Sequence, residues 1–184
     1  QALSGGGHAY MQGALDAGRV EAAIPGEAEK TGAEFRHVLD WDGGSTLVCN
    51  RVMRADGHHF YVEATLSAPV ETGQVLDALT EWSNKRRFNH LPSAPHHPLM
   101  VVDSVDVTAH LHADGQDFPA QPDPSVDFSA GMAVVVGGVE VLNPNRVRFE
   151  AFSHNTLRGA AGGVVLLAEL AHAMELISPM DPHP

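Results

Sequence analysis

The sequence predicts an α+β fold in which helices pack on one face of a mixed or antiparallel sheet. Three observations predict it: segments rich in β-branched and aromatic residues occur in neighbouring pairs, segments of helical period separate these pairs, and a long apolar helix ends the chain. The 184 residues, 43% of them hydrophobic, suffice for the core of one domain. We therefore expect residues 1–184 to form a single domain.

The first part of the chain is expected to hold two helices and two strands. Apolar residues recur on one face of His8–Ala17, and acidic residues open Pro25–Leu39, as the helix dipole favours. Ser45–Met53 and His59–Leu66 are rich in Val, Thr, Phe and Tyr, with a turn at residues 55–57 between them. We predict helices for the first two segments and strands for the others.

The middle of the chain alternates regular and irregular segments. Val70–Ser83 has a helical pattern, whereas three prolines in Leu91–Pro98 indicate an extended loop. Leu99–Leu111 is interpreted as a strand. Asp114–Ser129 is poor in hydrophobic residues and is expected to be an exposed arm.

The last part predicts a hairpin followed by a helix. Met132–Leu142 and Arg146–Phe152 alternate around an Asn-Pro-Asn turn. Asn155–Ile177 is nearly uncharged and apolar on all sides, and such a helix requires burial on all sides.

Charge and cysteine usage exclude several classes of protein. A formal charge of −12 repels nucleic acid and anionic membranes, so neither is expected as a partner. Cys49 is the single cysteine, which favours a cytoplasmic protein without disulfides, and its apolar surroundings predict a buried, inert thiol. The apolar stretch around Gly163–Leu170 is too short to span a membrane.

Arg51 and His58 are the residues with the clearest chemical potential. Arginine presents a planar fork to a carboxylate, and histidine titrates near neutral pH, so the pair suits an acidic substrate and general acid/base chemistry. A strand arginine followed by a solvated turn histidine explains the same spacing, and spacing alone does not decide between the two.

The other polar groupings have simpler explanations available. Glu27 and Lys30 are close enough on a helix to form a solvated ion pair. The small residues of Asn155–Gly162 permit close approach by a ligand or by another helix. The twelve histidines lack convergent Cys, Asp or Glu partners, so no metal site is expected.

Six motifs in one order resemble the aspartate-semialdehyde dehydrogenase family of the archaeal and fungal type, a group that includes malonyl-CoA reductases. The resemblance also extends to the catalytic C-terminal domain of the wider superfamily that includes glyceraldehyde-3-phosphate dehydrogenase. The motifs are Gln1–Gly7, Ile24–Lys30, Arg51–His58, Leu91–Pro95, Gly131–Val134 and Ser153–Gly162.

The resemblance implies roles for individual residues. His58 would be the acid/base, Gln1 would position the covalent intermediate, and Arg51 would bind the substrate carboxylate. Glu27 and Lys30 would lie around the substrate or its phosphate. The residues expected to contact the nicotinamide cofactor are Ser4, Gly5 and Asn155.

In that family a cofactor domain and a cysteine nucleophile precede the first of these motifs. We therefore expect the substrate-binding and dimerisation half of an NADP-dependent oxidoreductase, acting on an acidic acyl phosphate or acyl-CoA in amino-acid biosynthesis. The chain is expected to be a truncated or processed half that is inactive alone. NADP would be bound mainly by the absent N-terminal domain, on which helix Asn155–Ile177 would pack.

The expected partners follow from the same resemblance. They are a second copy in a homodimer or higher homo-oligomer, the cofactor-domain half in cis or in trans, and a small acidic acyl substrate. The alternative is a non-catalytic relative that keeps the fold as a dimerisation or regulatory protein.

Overall fold

A computed structural model describes residues 1–41, 43–84 and 88–177. The described helices are α1 (His8–Ala17), α2 (Glu27–Leu39), α3 (Thr72–Asn84) and α4 (Ala161–Ala173), with a short 3₁₀ helix at Leu3–Gly6; the strands are β1 (His58–Thr65), β2 (Leu99–Val101), β3 (Val134–Asn143) and β4 (Arg146–Ser153). The chain divides into two compact units, Gln1–Asp56 and a second that begins at Gly57. The single domain expected over residues 1–184 stays a prediction.

The strands form one mixed sheet in the second unit. Their order is β1-β4-β3-β2, in which β2 runs parallel to β3 and the other pairs are antiparallel. The α+β class with a mixed sheet is therefore confirmed. The hairpin is confirmed as well, and its turn is closed by the Asn145 amide, which donates to Asn143 Oδ1 at 3.1 Å.

The core of the second unit lies beside the start of β3, where residues of the preceding loops pack against the strand. Ala113, Ala133 and Val135 are buried there, and Phe118 packs against them. The arm 114–129 is therefore not wholly exposed as expected, because Phe118 anchors it to the core. Ser83 fixes the end of α3 to β2, since its hydroxyl donates to the Leu99 carbonyl at 2.8 Å.

The strand predicted at Ser45–Met53 is wrong. In the first unit this segment makes a single antiparallel bridge, between Ala23 and Asn50, among the described residues. Val48 is 78% exposed and Cys49 is half-buried, so the expected burial of the thiol is also wrong. Because β-propensity reflects packing on a covered surface, apolar residues without such a surface do not form a sheet.

The strand predicted at Leu99–Leu111 ends early, at Val101. Part of the remaining segment forms a local turn instead, because Asp106 Oδ1 accepts the backbone amides of Thr108 and Ala109 at 2.8 and 2.9 Å. These backbone hydrogen bonds also lower the pKa of Asp106 below its ordinary value.

Helix α4 is shorter than the predicted Asn155–Ile177, because residues 155–160 form turns. Among the described residues its apolar surface is left open, since Val164 and Leu167 are 66% and 64% exposed. Its single carboxylate, Glu169, accepts both the amide and the hydroxyl of buried Ser93 at 3.0 Å. No helix of the described residues is long and apolar enough to cross a membrane.

A cross-strand ion network stabilises the exposed face of β1 and β4. Glu63 lies opposite Arg148, whose Nη2 contacts its Oε1 at 2.7 Å, and Arg146 binds its other oxygen. The hydrogen bond from Arg148 holds the pKa of Glu63 below its ordinary value of 4.5.

We predict that Glu63→Gln lowers the stability of the protein at neutral pH but not at low pH. The depressed pKa means that the charged form stabilises the fold above the ordinary pKa, and that this stabilisation is lost as pH falls through the folded-state pKa. Urea midpoints of wild type and variant should converge below about pH 4. Glu140→Gln, which removes a longer 3.8 Å contact with Arg148, is the control and should show a smaller difference; a Glu63→Gln deficit that is constant across pH would contradict the ion network.

Candidate active site

His58 lies in the second unit, where the start of β1 pairs with the end of β4. It is the first residue of β1 and pairs with Ser153, the last residue of β4. Because side chains alternate along a strand, His58 and His59 project to opposite faces of the sheet. The residues predicted as acid/base and as a cofactor contact, His58 and Asn155, therefore belong to the same end of the β1–β4 pair.

Gly57 determines how the chain enters β1. It is buried, with φ at +89°, and a Cβ atom there would lie 2.4 Å from the Phe152 ring. Both the left-handed backbone and the aromatic contact require glycine. The Gly57 amide donates to Asn155 Oδ1 at 2.8 Å.

His59 has a defined partner on the other face. Its Nε2 lies 2.8 Å from Glu150 Oε2, and its ring meets the edge of Phe152 with centroids 6.0 Å apart. Sequence reasoning missed this pair, because the residues are 91 positions apart and only the β1–β4 register brings them together. Phe152 thus contacts both Gly57 and His59.

His154 is buried directly after β4. Its Nδ1 lies 3.1 Å from the Thr156 hydroxyl, and its ring centroid lies 5.4 Å from that of His112. Within residues 1–41, 43–84 and 88–177, no three His, Cys, Asp or Glu side chains group as a metal site.

The first unit brings Gln1 and Glu27 together. The Gln1 amide nitrogen donates to Glu27 Oε1 at 3.1 Å, and the Gln1 carbonyl accepts the amide of Val52 at 3.0 Å. Gln1 therefore runs beside the segment that carries Arg51. Lys30 is exposed and pairs with Glu34 rather than with Glu27, at 3.9 Å.

Arg51 lies in a cleft of about 580 Å³ beside helix α1. Its guanidinium carbon sits 4.7 Å from the centroid of the Tyr10 ring, and Arg19 lines the same cleft. A cation–π contact of this kind orients a guanidinium. Tyr10 lies on helix α1, and its contact with Arg51 could not be predicted from the sequence, because the two residues are far apart along the chain.

Ser4 and Gly5 belong to the 3₁₀ helix Leu3–Gly6. The Ser4 amide donates to the Ala55 carbonyl at 2.9 Å, which ties this turn to the segment before β1, and Gly5 is exposed. The exposed glycines that follow Ser4 leave the backbone open to close approach.

Comparisons with known proteins agree with this architecture. The chain is 30% identical to an aspartate-semialdehyde dehydrogenase of Methanothermobacter thermautotrophicus, covering 92% of the chain and 49% of that protein. It is 31% identical to a malonyl-CoA reductase (NADP) of Metallosphaera sedula, over 66% of the chain and 31% of the relative. No family model matches the chain.

Solved structures share the fold. Aspartate-semialdehyde dehydrogenase II of Vibrio cholerae, solved as a complex with ASA, matches 94% of the chain and 52% of its own at a TM-score of 0.62 and 18% identity. The Candida albicans enzyme, solved with NADP, matches 96% and 49% at a TM-score of 0.60 and 24% identity.

The fold is that of a dehydrogenase-like α+β domain. The chain belongs to the aspartate-semialdehyde dehydrogenase family. It spans about half the length, 49%, of the Methanothermobacter thermautotrophicus dehydrogenase.

We predict that Gly57→Ala destabilises the second unit by about 2–4 kcal/mol, because the new methyl group meets the Phe152 ring and the left-handed backbone is strained. Gly73 in helix α3 is the matched control, since nothing lies within 4 Å of its added Cβ. Gly73→Ala should be neutral or slightly stabilising. Urea unfolding of both variants checks this, and equal stability of the two would contradict the packing of Gly57.

Proposed function

We propose that this chain supplies the substrate-binding and acid/base part of an NADP-dependent reductase that acts on an acidic acyl phosphate or acyl-CoA. The relationship to aspartate-semialdehyde dehydrogenases and to a malonyl-CoA reductase supports this class of reaction. The observation that carries the proposal is the fixed main chain at His58, which is held between Gly57 and the β1–β4 pairing.

An acid/base histidine needs a fixed backbone, because proton transfer depends on hydrogen-bond distance to the reacting atom. His58 begins a strand whose pairing continues for eight residues on β4, and rigid strands hold side chains better than loops. In this proposal His58 gives and takes the proton at the reacting carbonyl oxygen.

Arg51 binds the carboxylate of the acidic acyl group. Its guanidinium presents a fork of donors, and the contact with Tyr10 limits its orientations. Gln1 positions the thioester or hemithioacetal, and its hydrogen bond to Glu27 supports this role by fixing its amide group. Lys30, with a solvated ammonium, balances the charge of the phosphate or substrate nearby.

When bound, NADPH would supply the hydride for reduction, and NADP⁺ would accept it in the reverse direction. The exposed glycine backbone around Gly5 fits the close approach of a flat ring, so Ser4 and Gly5 are proposed to contact the nicotinamide. The remaining contacts of the cofactor, and the cysteine nucleophile, would come from a cofactor domain joined in cis or supplied in trans. The open apolar side of α4 supports packing against such a domain, and the assembled enzyme is proposed to be a homodimer or higher homo-oligomer.

The direct experiment is a steady-state assay of the full-length natural gene product with NADPH and a panel of acyl donors. The panel contains aspartyl phosphate, malonyl-CoA and an uncharged acyl-CoA. Oxidation of NADPH with an acidic donor, and much less with the uncharged one, is the expected result. The reverse reaction is tested with aspartate semialdehyde and phosphate. If there is no turnover in either direction, the proposed activity is wrong, and the alternative of a non-catalytic dimerisation or regulatory protein takes its place.

His58→Ala should lower kcat by about 10²- to 10⁴-fold, the usual contribution of a general acid/base. KM for the acyl donor should change little, because the histidine acts on the reacting atoms. His37→Asn, an exposed histidine on α2, is the control. Retention of kcat in His58→Ala would remove His58 from the mechanism.

Arg51→Lys should raise KM for the acidic donor by about 10- to 100-fold, since a lost charge-assisted hydrogen bond costs about 1.5–3 kcal/mol. The loss should be much smaller for the uncharged donor. Arg36→Lys, on the exposed face of α2, serves as the matched change. Equal losses for charged and uncharged donors would contradict carboxylate recognition by Arg51.

A further inference from the structure

We propose that Asn155 is a positioning residue, whose amide oxygen holds the turn that delivers His58. Cofactor contact, the role expected of Asn155, is secondary in this proposal. The inference rests on the proposed function of His58, and it concerns a contact within the second unit alone. In this proposal Asn155 holds the Gly57 amide and thereby fixes the position of His58, the next residue.

The ladder between β1 and β4 ends at the pair His58 and Ser153. One residue further along β4, the His154 carbonyl turns away and accepts the Gly159 amide at 3.3 Å. The Asn155 side chain instead accepts the Gly57 amide at 2.8 Å, across 98 positions of sequence. A side chain thus supplies the hydrogen bond that follows the last rung of the sheet.

This hydrogen bond is partly buried, and the residue that donates it is buried. Gly57 is buried beneath the Phe152 ring, which is fully buried itself. A buried amide that loses its acceptor is penalised by about 1–3 kcal/mol, and the backbone can relieve this by moving toward water. Gly57 precedes His58 directly, so such a movement shifts the imidazole.

Small displacements of a catalytic group matter, because a misplacement of about 1 Å can cost on the order of 100-fold in rate. Asn155 therefore controls catalysis through the main chain. If Asn155 instead bound the cofactor, it would control the affinity for NADP. The two roles therefore predict different kinetics.

Amide hydrogen exchange of the full-length protein tests the contact without any assay of function. Gly57 should be protected in wild type, exchange about 10-fold faster or more in Asn155→Ala, and keep most of its protection in Asn155→Asp, which retains an acceptor oxygen. Unchanged Gly57 exchange in Asn155→Ala would overturn the proposal, whether or not the protein is an enzyme.

Kinetics of the same variants test the consequence. Asn155→Ala should lower kcat by about 10-fold or more while KM for NADPH stays within about 2-fold, and Asn155→Asp should lose less of kcat. A rise in KM for NADPH in both variants, with kcat retained, would assign Asn155 to the cofactor and overturn positioning.

Ser83→Ala controls for loss of stability alone. Ser83 is buried, and its hydroxyl donates to the Leu99 carbonyl and accepts the Leu99 amide, so its removal should destabilise the protein by about 1–3 kcal/mol. It should leave kcat unchanged. An equal fall of kcat in Ser83→Ala would mean that the effect of Asn155→Ala reports stability and would overturn the assignment.

Discussion

The hydrogen bond from the buried Gly57 amide to the Asn155 side chain is the constraint on which the candidate site residues of the second unit depend. A buried backbone donor must be satisfied, and the Asn155 side chain accepts this one just beyond the last pair of the β1–β4 ladder. The left-handed backbone of Gly57 aims the amide at Asn155, and the Phe152 ring prevents any larger residue from replacing the glycine. The entry into β1, and with it the position of His58, follows from these three contacts.

Polar and ionisable side chains lie on both faces of the β1–β4 pair. His58 lies on one, and the other carries the pair His59–Glu150 followed by the network around Glu63. Phe152 links the start of β1 to the His59–Glu150 pair, because its ring contacts both Gly57 and the His59 ring. The antiparallel pair therefore carries His58, the proposed acid/base group, at its end and ion pairs along its length.

The sequence predicts the local elements well where neighbouring residues determine them. Helix α1 has the predicted bounds, because Gly18 ends it with φ at +61°, and the hairpin forms because Asn143 and Asn145 close its turn. The strand predicted at Ser45–Met53 fails, since no packed surface covers Val48 in the first unit. The strand predicted at Leu99–Leu111 ends at Val101, and Asp106 forms a local turn further along that periodicity does not reveal.

The candidate site residues could be named from the sequence, and their roles stay predictions, but most of their contacts could not be derived from it. Motif order identified Gln1 and Glu27, and their side chains do meet. The contact of Arg51 with Tyr10 and that of Asn155 with Gly57 depend on tertiary structure, because no spacing rule relates residues that far apart. Asn155 has a backbone partner in the structure, and the cofactor contact that the resemblance implies for it stays a prediction.

A crystal structure of the full-length protein with NADP bound tests the central claim most directly. The account predicts that the Gly57 nitrogen and Asn155 Oδ1 remain within about 3.2 Å in the bound state, with the Phe152 ring against Gly57. An Asn155 side chain turned away from Gly57, with its amide group bonded to the nicotinamide alone, would contradict it.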